Sequence, residues 1–138
     1  MYPEPIEPET ADKPAEAVRL VCDALSDGDL EAAVALYEPS AALALAAWTS
    51  ARRTEEVRAV LAELMETRLP IHVSVTREII TGDLALVFAV RSISGRTIDG
   101  SLVRLLGDGG AVLRRSEAHG WQLVVDDWNL ASRDASND

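Results

Sequence analysis

The chain has 138 residues, 48% of them hydrophobic, and a formal net charge of −10. One domain with a real core is expected, and a wholly disordered chain is excluded. The acidic balance disfavours nucleic acid and anionic membranes as partners, no apolar run reaches the about 18 residues of a membrane span, and Cys22, the single cysteine, excludes an internal disulfide.

Residues 1–13, rich in proline and acid, read as a flexible N-terminal arm. They show no basic region followed by an apolar one, so no signal peptide is expected and the cytoplasm is the expected compartment. From Pro14 the period is helical. Ala17, Val18, Val21, Cys22 and Leu25 form one apolar stripe, and Cys22 on that stripe reads as a buried thiol. "SDGD" ends this helix, with Gly28 as a C-terminal cap and Asp29 capping the next. That second helix places Leu30, Ala33, Val34 and Tyr37 on one face and stops at "EPS". "AALALAAW", 41–48, reads as a buried strand between turn signals. Thr54 reads as the N-cap of a third helix, whose stripe is Val57, Val60, Leu61, Leu64 and Met65 and which Pro70 ends.

After Pro70 the period falls to two. "IHVSVTREII" alternates, "TGD" turns, and "LALVFAVRSI" is apolar on both faces, as a central strand should be. "SGR" reads as a turn, then "TIDGSLVRLL" as a strand. "GDGG", 107–110, reads as an Asp-Gly hairpin turn; no helix follows it, so it is not a phosphate loop. "AVLRRSE", "AHG" and "WQLVVDDW" close the chain as strand, turn and strand. Helices first and an antiparallel sheet after is an α+β order with helices on one sheet face. A curved sheet closed by helices encloses a cavity suited to a small ligand.

The groups that bear chemistry are few. His72 and His119 are the only histidines. His72 is a weak candidate for a pocket base and otherwise an edge histidine; His119 lies in a turn. Asp126 and Asp127 are strand neighbours and must point to opposite faces. Asp126 is either half of a cross-strand pair with Arg114 or Arg115, or a group open to the cavity. Tyr37, Trp48, Phe88, Trp121 and Trp128 are core aromatics, some of which would also line the pocket. Arg91 and Asp99 interrupt apolar strands; they pair with each other or lie on a wet face. No Cys/His metal cluster and no Ser-His-Asp set can be drawn, so no metal and no cofactor is expected.

"ALSDGDLEAAVALYEPSAAL" resembles the opening of nuclear transport factor 2-like proteins, the group that includes SnoaL-like cyclases and ketosteroid isomerase. "AVLRRSEAHGWQLVVDDWN" resembles the closing hairpin of the SgcJ/EcaC-like subgroup, with Arg114, Arg115, Gly120, Trp121 and Asp126 at the matching positions, and "TGDLALVFAV" fits its middle hairpin. The resemblance covers about residues 14 to 130. It implies a cone-shaped, cystatin-like α+β roll, with three N-terminal helices on a curved, mixed and mostly antiparallel sheet, a domain spanning 14–130 and a flexible tail over 131–138. It also implies a homodimer through the open sheet face.

The isomerase chemistry does not carry over. Aligned on Gly28, Asp29 and Tyr37, the oxyanion tyrosine falls on Val21, the base on about Leu45 and the protonated acid near Ala111; none can move a proton. The leading expectation is therefore a domain binding a small apolar or aromatic ligand through Tyr37, Trp48, Phe88, Arg115 and Trp128. Two alternatives stand beside it. One is a cyclase, isomerase or dehydratase of secondary metabolism using Asp126 or His72 as acid/base. The other is a dimerisation or docking module with a filled cavity.

Overall fold

The computed structural model describes residues 11–47 and 49–132. The elements run α1 (Pro14–Ser26), α2 (Leu30–Val34), β1 (Tyr37–Ala46), β2 (Thr49–Arg52), α3 (Arg53–Met65), β3 (Ile71–Thr81), β4 (Leu84–Arg96), β5 (Leu102–Ser116) and β6 (Gly120–Ser132). The six strands form one sheet in the order β2-β1-β6-β5-β4-β3. Every neighbouring pair is antiparallel except β1 with β6. Helix α1 lies on β3, β4 and β6, and α3 on β1 and β2. This is an α+β roll, but only α1 and α2 precede the sheet; α3 enters after its first two strands.

The helical readings hold where the apolar stripe is strong. Pro14 opens α1, and Ala17, Val18, Val21, Cys22 and Leu25 are all buried. Gly28 has a φ of 79°, and Asp29 Oδ1 accepts the Ala32 amide at 3.1 Å, capping α2 as its position implies. Tyr37 belongs to β1 rather than to α2. The second helix stops at Val34 because five residues suffice to bury Ala33 and Val34, and the chain then pairs with β6. Helix α3 starts one residue before Thr54. Its N-cap is Arg52, whose amide donates to Glu56 Oε1 at 3.1 Å.

Two expected turns are strand interior. β4 continues through "SGR" to Arg96, and the chain reverses over residues 97–101 instead. "GDGG" sits in the middle of β5. Gly107 pairs with Arg91 and Gly109 with Ala89 on β4, and Gly107 and Gly110 pair with Leu130 and Asp127 on β6. A Cβ at Gly107 would collide with the Trp128 carbonyl oxygen, and one at Gly109 with the Asp127 carbonyl oxygen. These glycines are required by a close approach of two backbones, not by a reversal of the chain. At the far end, β6 runs through Ser132, past the expected boundary at 130.

Alternation assigns the sheet faces. Ala85, Val87, Ala89, Arg91 and Ile93 of β4 point under the helices and are buried. On the other face, Ile79, Leu86, Val112 and Val125 form a row across four strands. That face is open: Val125 and Leu84 are each 46% exposed. Ala11, within the expected arm, is buried and bridges in parallel to Gly120, while Asp12 and Lys13 are exposed. Among the described residues, no helix is long and apolar enough to cross a membrane.

Candidate functional site

One buried polar cluster stands out under the helices. Among the described residues, the buried polar or charged ones are Arg91, 2% exposed, and Asp126, 1% exposed. They meet around Trp128 and Tyr37, which are also buried.

The sheet builds this cluster through a bulge. Val112 pairs with Val125 but Leu113 pairs with Leu123, so Val124 has no partner. The extra residue inverts the phase of β6. Trp121 and Leu123 point inward before it, and Asp126, Trp128 and Leu130 point inward after it. Without the bulge Asp127 would be the buried carboxyl, and Asp126 would face solvent.

Three donors converge on Asp126. The Tyr37 hydroxyl donates to Oδ2 at 2.6 Å. The Trp128 indole Nε1–H donates to the same oxygen at 2.8 Å. Arg91 Nη2 donates to Oδ1 at 3.1 Å, closing a buried ion pair. Arg91 reaches Asp126 across β5, at a place where Gly107 and Gly109 carry no side chain. Its Cζ lies 4.5 Å from the Trp128 ring centroid, within cation–π range.

The electrostatics follow from burial and these contacts. Burial, reinforced by Asp126, pushes the Tyr37 phenol well above its usual range, so Tyr37 serves as a donor. Burial opposes the Arg91 charge, but the field of Asp126, joined by Cys22 and Tyr37, outweighs it and raises the arginine above its ordinary value. Burial pushes the Cys22 thiol from 9.0 up to about 12, against the pull of Arg91.

One feature of the cluster is unsatisfied. Nε and Nη1 of Arg91 are buried and have no hydrogen-bond partner. The Cys22 sulfur stands beside this guanidinium as a side-chain hydrogen-bond partner, but a thiol is a weak acceptor. Buried donors are almost always paired, which sets these two apart from the rest of the cluster.

The expected site residues are distributed unevenly. Tyr37, Trp128 and Asp126 come together. Asp126 takes neither Arg114 nor Arg115: Arg114 Nε bonds Glu38 at 3.0 Å, and Arg115 Nε bonds Asp83 at 3.3 Å on the exposed surface. Phe88 sits on the open sheet face against Gly110, opposite to Arg91. His72 is exposed on the edge strand β3, paired with Ser92, and His119 is exposed in a turn. Trp48 lies outside the described residues. Arg91 does not pair with Asp99, which folds back on its own turn through Thr97 and Ser101. Arg91 and Cys22 are members of the cluster that the sequence alone assigns to no site. The signal for Arg91 was its parity, since it is in phase with Ala89 and Ile93. Val21, Leu45 and Ala111 occupy buried or half-buried positions, and Ala111 stands opposite Asp126. Among the described residues, no three His, Cys, Asp or Glu stand close enough together to hold a metal ion.

No family model matches the sequence, and no curated protein matches it. Solved structures do. A ketosteroid isomerase-like protein from Erwinia carotovora atroseptica superposes with a TM-score of 0.76 at 19% identity, over 87% of this chain and 95% of the other. An NTF2-like protein with a cystatin-like fold from Novosphingobium aromaticivorans superposes with a TM-score of 0.70 at 20% identity, over 88% and 80%. A candidate dehydratase of the NTF2-like family from Streptomyces avermitilis gives 0.68 at 25% identity, over 85% and 94%.

Proposed function

The chain has the nuclear transport factor 2-like fold, and we propose that it is a small-molecule-binding protein of that fold, taking an apolar or aromatic ligand between helices and sheet against Tyr37, Trp128 and Arg91. The fold alone does not carry this, because it hosts unrelated functions. The supporting observation is Arg91, wholly buried with Nε and Nη1 unpaired beside an otherwise satisfied cluster. Stability does not explain such a residue. Replacing a buried ion pair by apolar side chains is often neutral or stabilising by about 1–4 kcal/mol. Trp128 and Tyr37 supply flat apolar walls beside it.

The reading includes a homodimer. The row Ile79, Leu86, Val112, Val125 on the open face offers a second copy an apolar surface that the helices of its own chain do not cover. Native mass spectrometry of protein purified from its own host tests both parts. A dimer carrying a small apolar adduct supports the reading, and a monomer with nothing bound removes it.

A second reading, an acid/base enzyme using Asp126, has one observation behind it. The 2.6 Å Tyr37–Asp126 hydrogen bond lies in the same cluster and could share a proton with a substrate. Against it, both Asp126 oxygens already accept bonds. His72, exposed on the edge strand, has no part in that cluster. Tight packing of Trp48, Phe88 and Trp128 would favour the docking-module alternative; Trp48 lies outside the described residues, and Phe88 and Trp128 lie on opposite sheet faces.

A further inference from the structure

We propose that two copies of this chain pack sheet to sheet about a two-fold axis running along the strands between β4 and β5, and that Arg77 of each copy pairs there with Asp127 of the other. The inference rests on the homodimer reading above and gives that interface its register.

The open face is complementary to itself in two successive rows. The first is Ile79, Leu86, Val112 and Val125, apolar throughout. The next is Arg77, Phe88, Gly110 and Asp127. It carries a cation at its β3 end and an anion at its β6 end, both exposed. Among the described residues, neither charge has an ion-pair partner. Within one chain they cannot meet, because three strand spacings hold them about 14 Å apart. The patch ends at the following row, where Asp108 is exposed beside Val90.

Charge and shape choose the axis. A two-fold along the strands exchanges β3 with β6 and β4 with β5. Packed sheets lie about 10 Å apart. In that arrangement Ile79 of one copy covers Val125 of the other, and Leu86 covers Val112. The two Phe88 rings, each leaning over its own Gly110, meet at the axis. Arg77 comes over Asp127 twice, once on each side. A two-fold along the rows instead sets Arg77 against Thr81 and Asp127 against Gln122, which leaves both charges unmatched. Arg114, beside Gln122, is already held by Glu38 of its own chain. A closed two-fold contact uses one patch on both copies, so a patch with opposite charges at its two ends suits a second copy turned in this way. Each copy carries −10, and the local pairs work against that overall repulsion.

The experiment measures dimer dissociation of the full chain by sedimentation, with Arg77→Glu and Asp127→Arg made separately. Each variant alone sets like charges opposite each other and should dimerise at least about tenfold more weakly. Mixed in equal amounts, each supplies the sign that the other lacks. The mixture should recover the dimer, and native mass spectrometry should show one copy of each variant in it. Singles that dimerise like the unsubstituted protein overturn this register and leave the homodimer reading standing. Weakened singles that do not recover on mixing overturn the Arg77–Asp127 pair. An unsubstituted protein that stays monomeric overturns the homodimer reading and the inference together. Asp127 Oδ1 also accepts the Asn129 amide, so Asp127→Arg could fail to fold. Asp127→Asn keeps an oxygen for that amide, and with Arg77→Gln it completes a cycle. Each of these should weaken the dimer about threefold or more, and both together no further. Losses that simply add overturn the pair.

Discussion

Arg91 on β4 and Asp126 on β6 form an ion pair across an intervening strand, Nη2 to Oδ1 at 3.1 Å, over a stretch of β5 where Gly107 and Gly109 carry no side chain. The pair and its two aromatic donors form one unit, so its members should not be equivalent on substitution. Asp126→Asn leaves Arg91 buried without its counter-ion and turns an amide NH2 toward the Tyr37 and Trp128 donors. It should cost about 3 kcal/mol or more. Tyr37→Phe removes one donor from an oxygen that keeps another, and should cost about 1–2 kcal/mol. Urea denaturation of the two variants checks the ranking. If Asp126→Asn proves as mild as Tyr37→Phe, the carboxyl group is not the hub of the cluster.

The two glycines make a separate prediction. Gly109→Ala drives a methyl group into the Asp127 carbonyl oxygen, and strand backbone cannot yield as a side-chain tip does. It should destabilise by at least about 2 kcal/mol and part β5 from β6 beside Trp128. Gly110→Ala, the next residue, meets the Phe88 ring at 3.3 Å and the Val87 carbonyl oxygen at an ordinary 3.6 Å, and should cost less than about 1 kcal/mol. Thermal unfolding with tryptophan fluorescence separates them. Equal losses would mean that the strands relax there and that the glycines are not what holds the crossing open.

The same glycines show where the sequence was legible and where it was not. Helix α1 and the inward run of β4 were readable, because one apolar face at a fixed period is a local property of the chain. "GDGG" was not. Asp-Gly is a strong turn signal within four residues, and the requirement that overrode it, the approach of the Trp128 and Asp127 carbonyls, comes from residues about twenty positions away. The bulge at Val124 is similar. Trp121, Leu123 and Val125 alternate cleanly in sequence, yet Val125 faces solvent because the phase shifts between Leu123 and Val125. Asp126 and Asp127 were correctly split between faces. Its partner was sought on the adjacent strand, where Arg114 and Arg115 lie, since nothing local says that an arginine 35 residues earlier will reach over a side-chain-free strand.

The hairpin tip between β4 and β5 carries a pH response of its own. Hydrogen bonds from Thr97 Oγ1 and the Ser101 amide hold the exposed Asp99 carboxyl at about 2, below its ordinary 3.8. A depressed native pKa stabilises the turn above pH 3.8, and that contribution fades as pH falls through 2. A carbon-13 titration of the Asp99 carboxyl should therefore show a midpoint near 2, with the Ser101 amide shift moving in step. A midpoint at the ordinary aspartate value, or a Ser101 amide that does not follow, would show that the turn does not hold the carboxyl in solution.

Cys22 reports on whether the cluster opens. It is fully buried in α1 beside Arg91, and a thiol that titrates at about 12 carries almost no thiolate at neutral pH. Disulfide-exchange reagents at pH 8 should modify it only through unfolding, orders of magnitude more slowly than in urea. The native pKa is raised above the unfolded 9.0, so the unfolded thiol ionises first. The stability from the buried neutral form is whole below pH 9.0 and is lost as pH rises toward 12. Cys22→Ala should therefore flatten the alkaline side of the stability profile while leaving a cavity cost that does not depend on pH. Labelling at the global unfolding rate means that α1 stays closed over Arg91 for as long as the chain is folded. Labelling much faster than global unfolding means that α1 lifts locally and that the cluster beneath it opens without the rest of the fold.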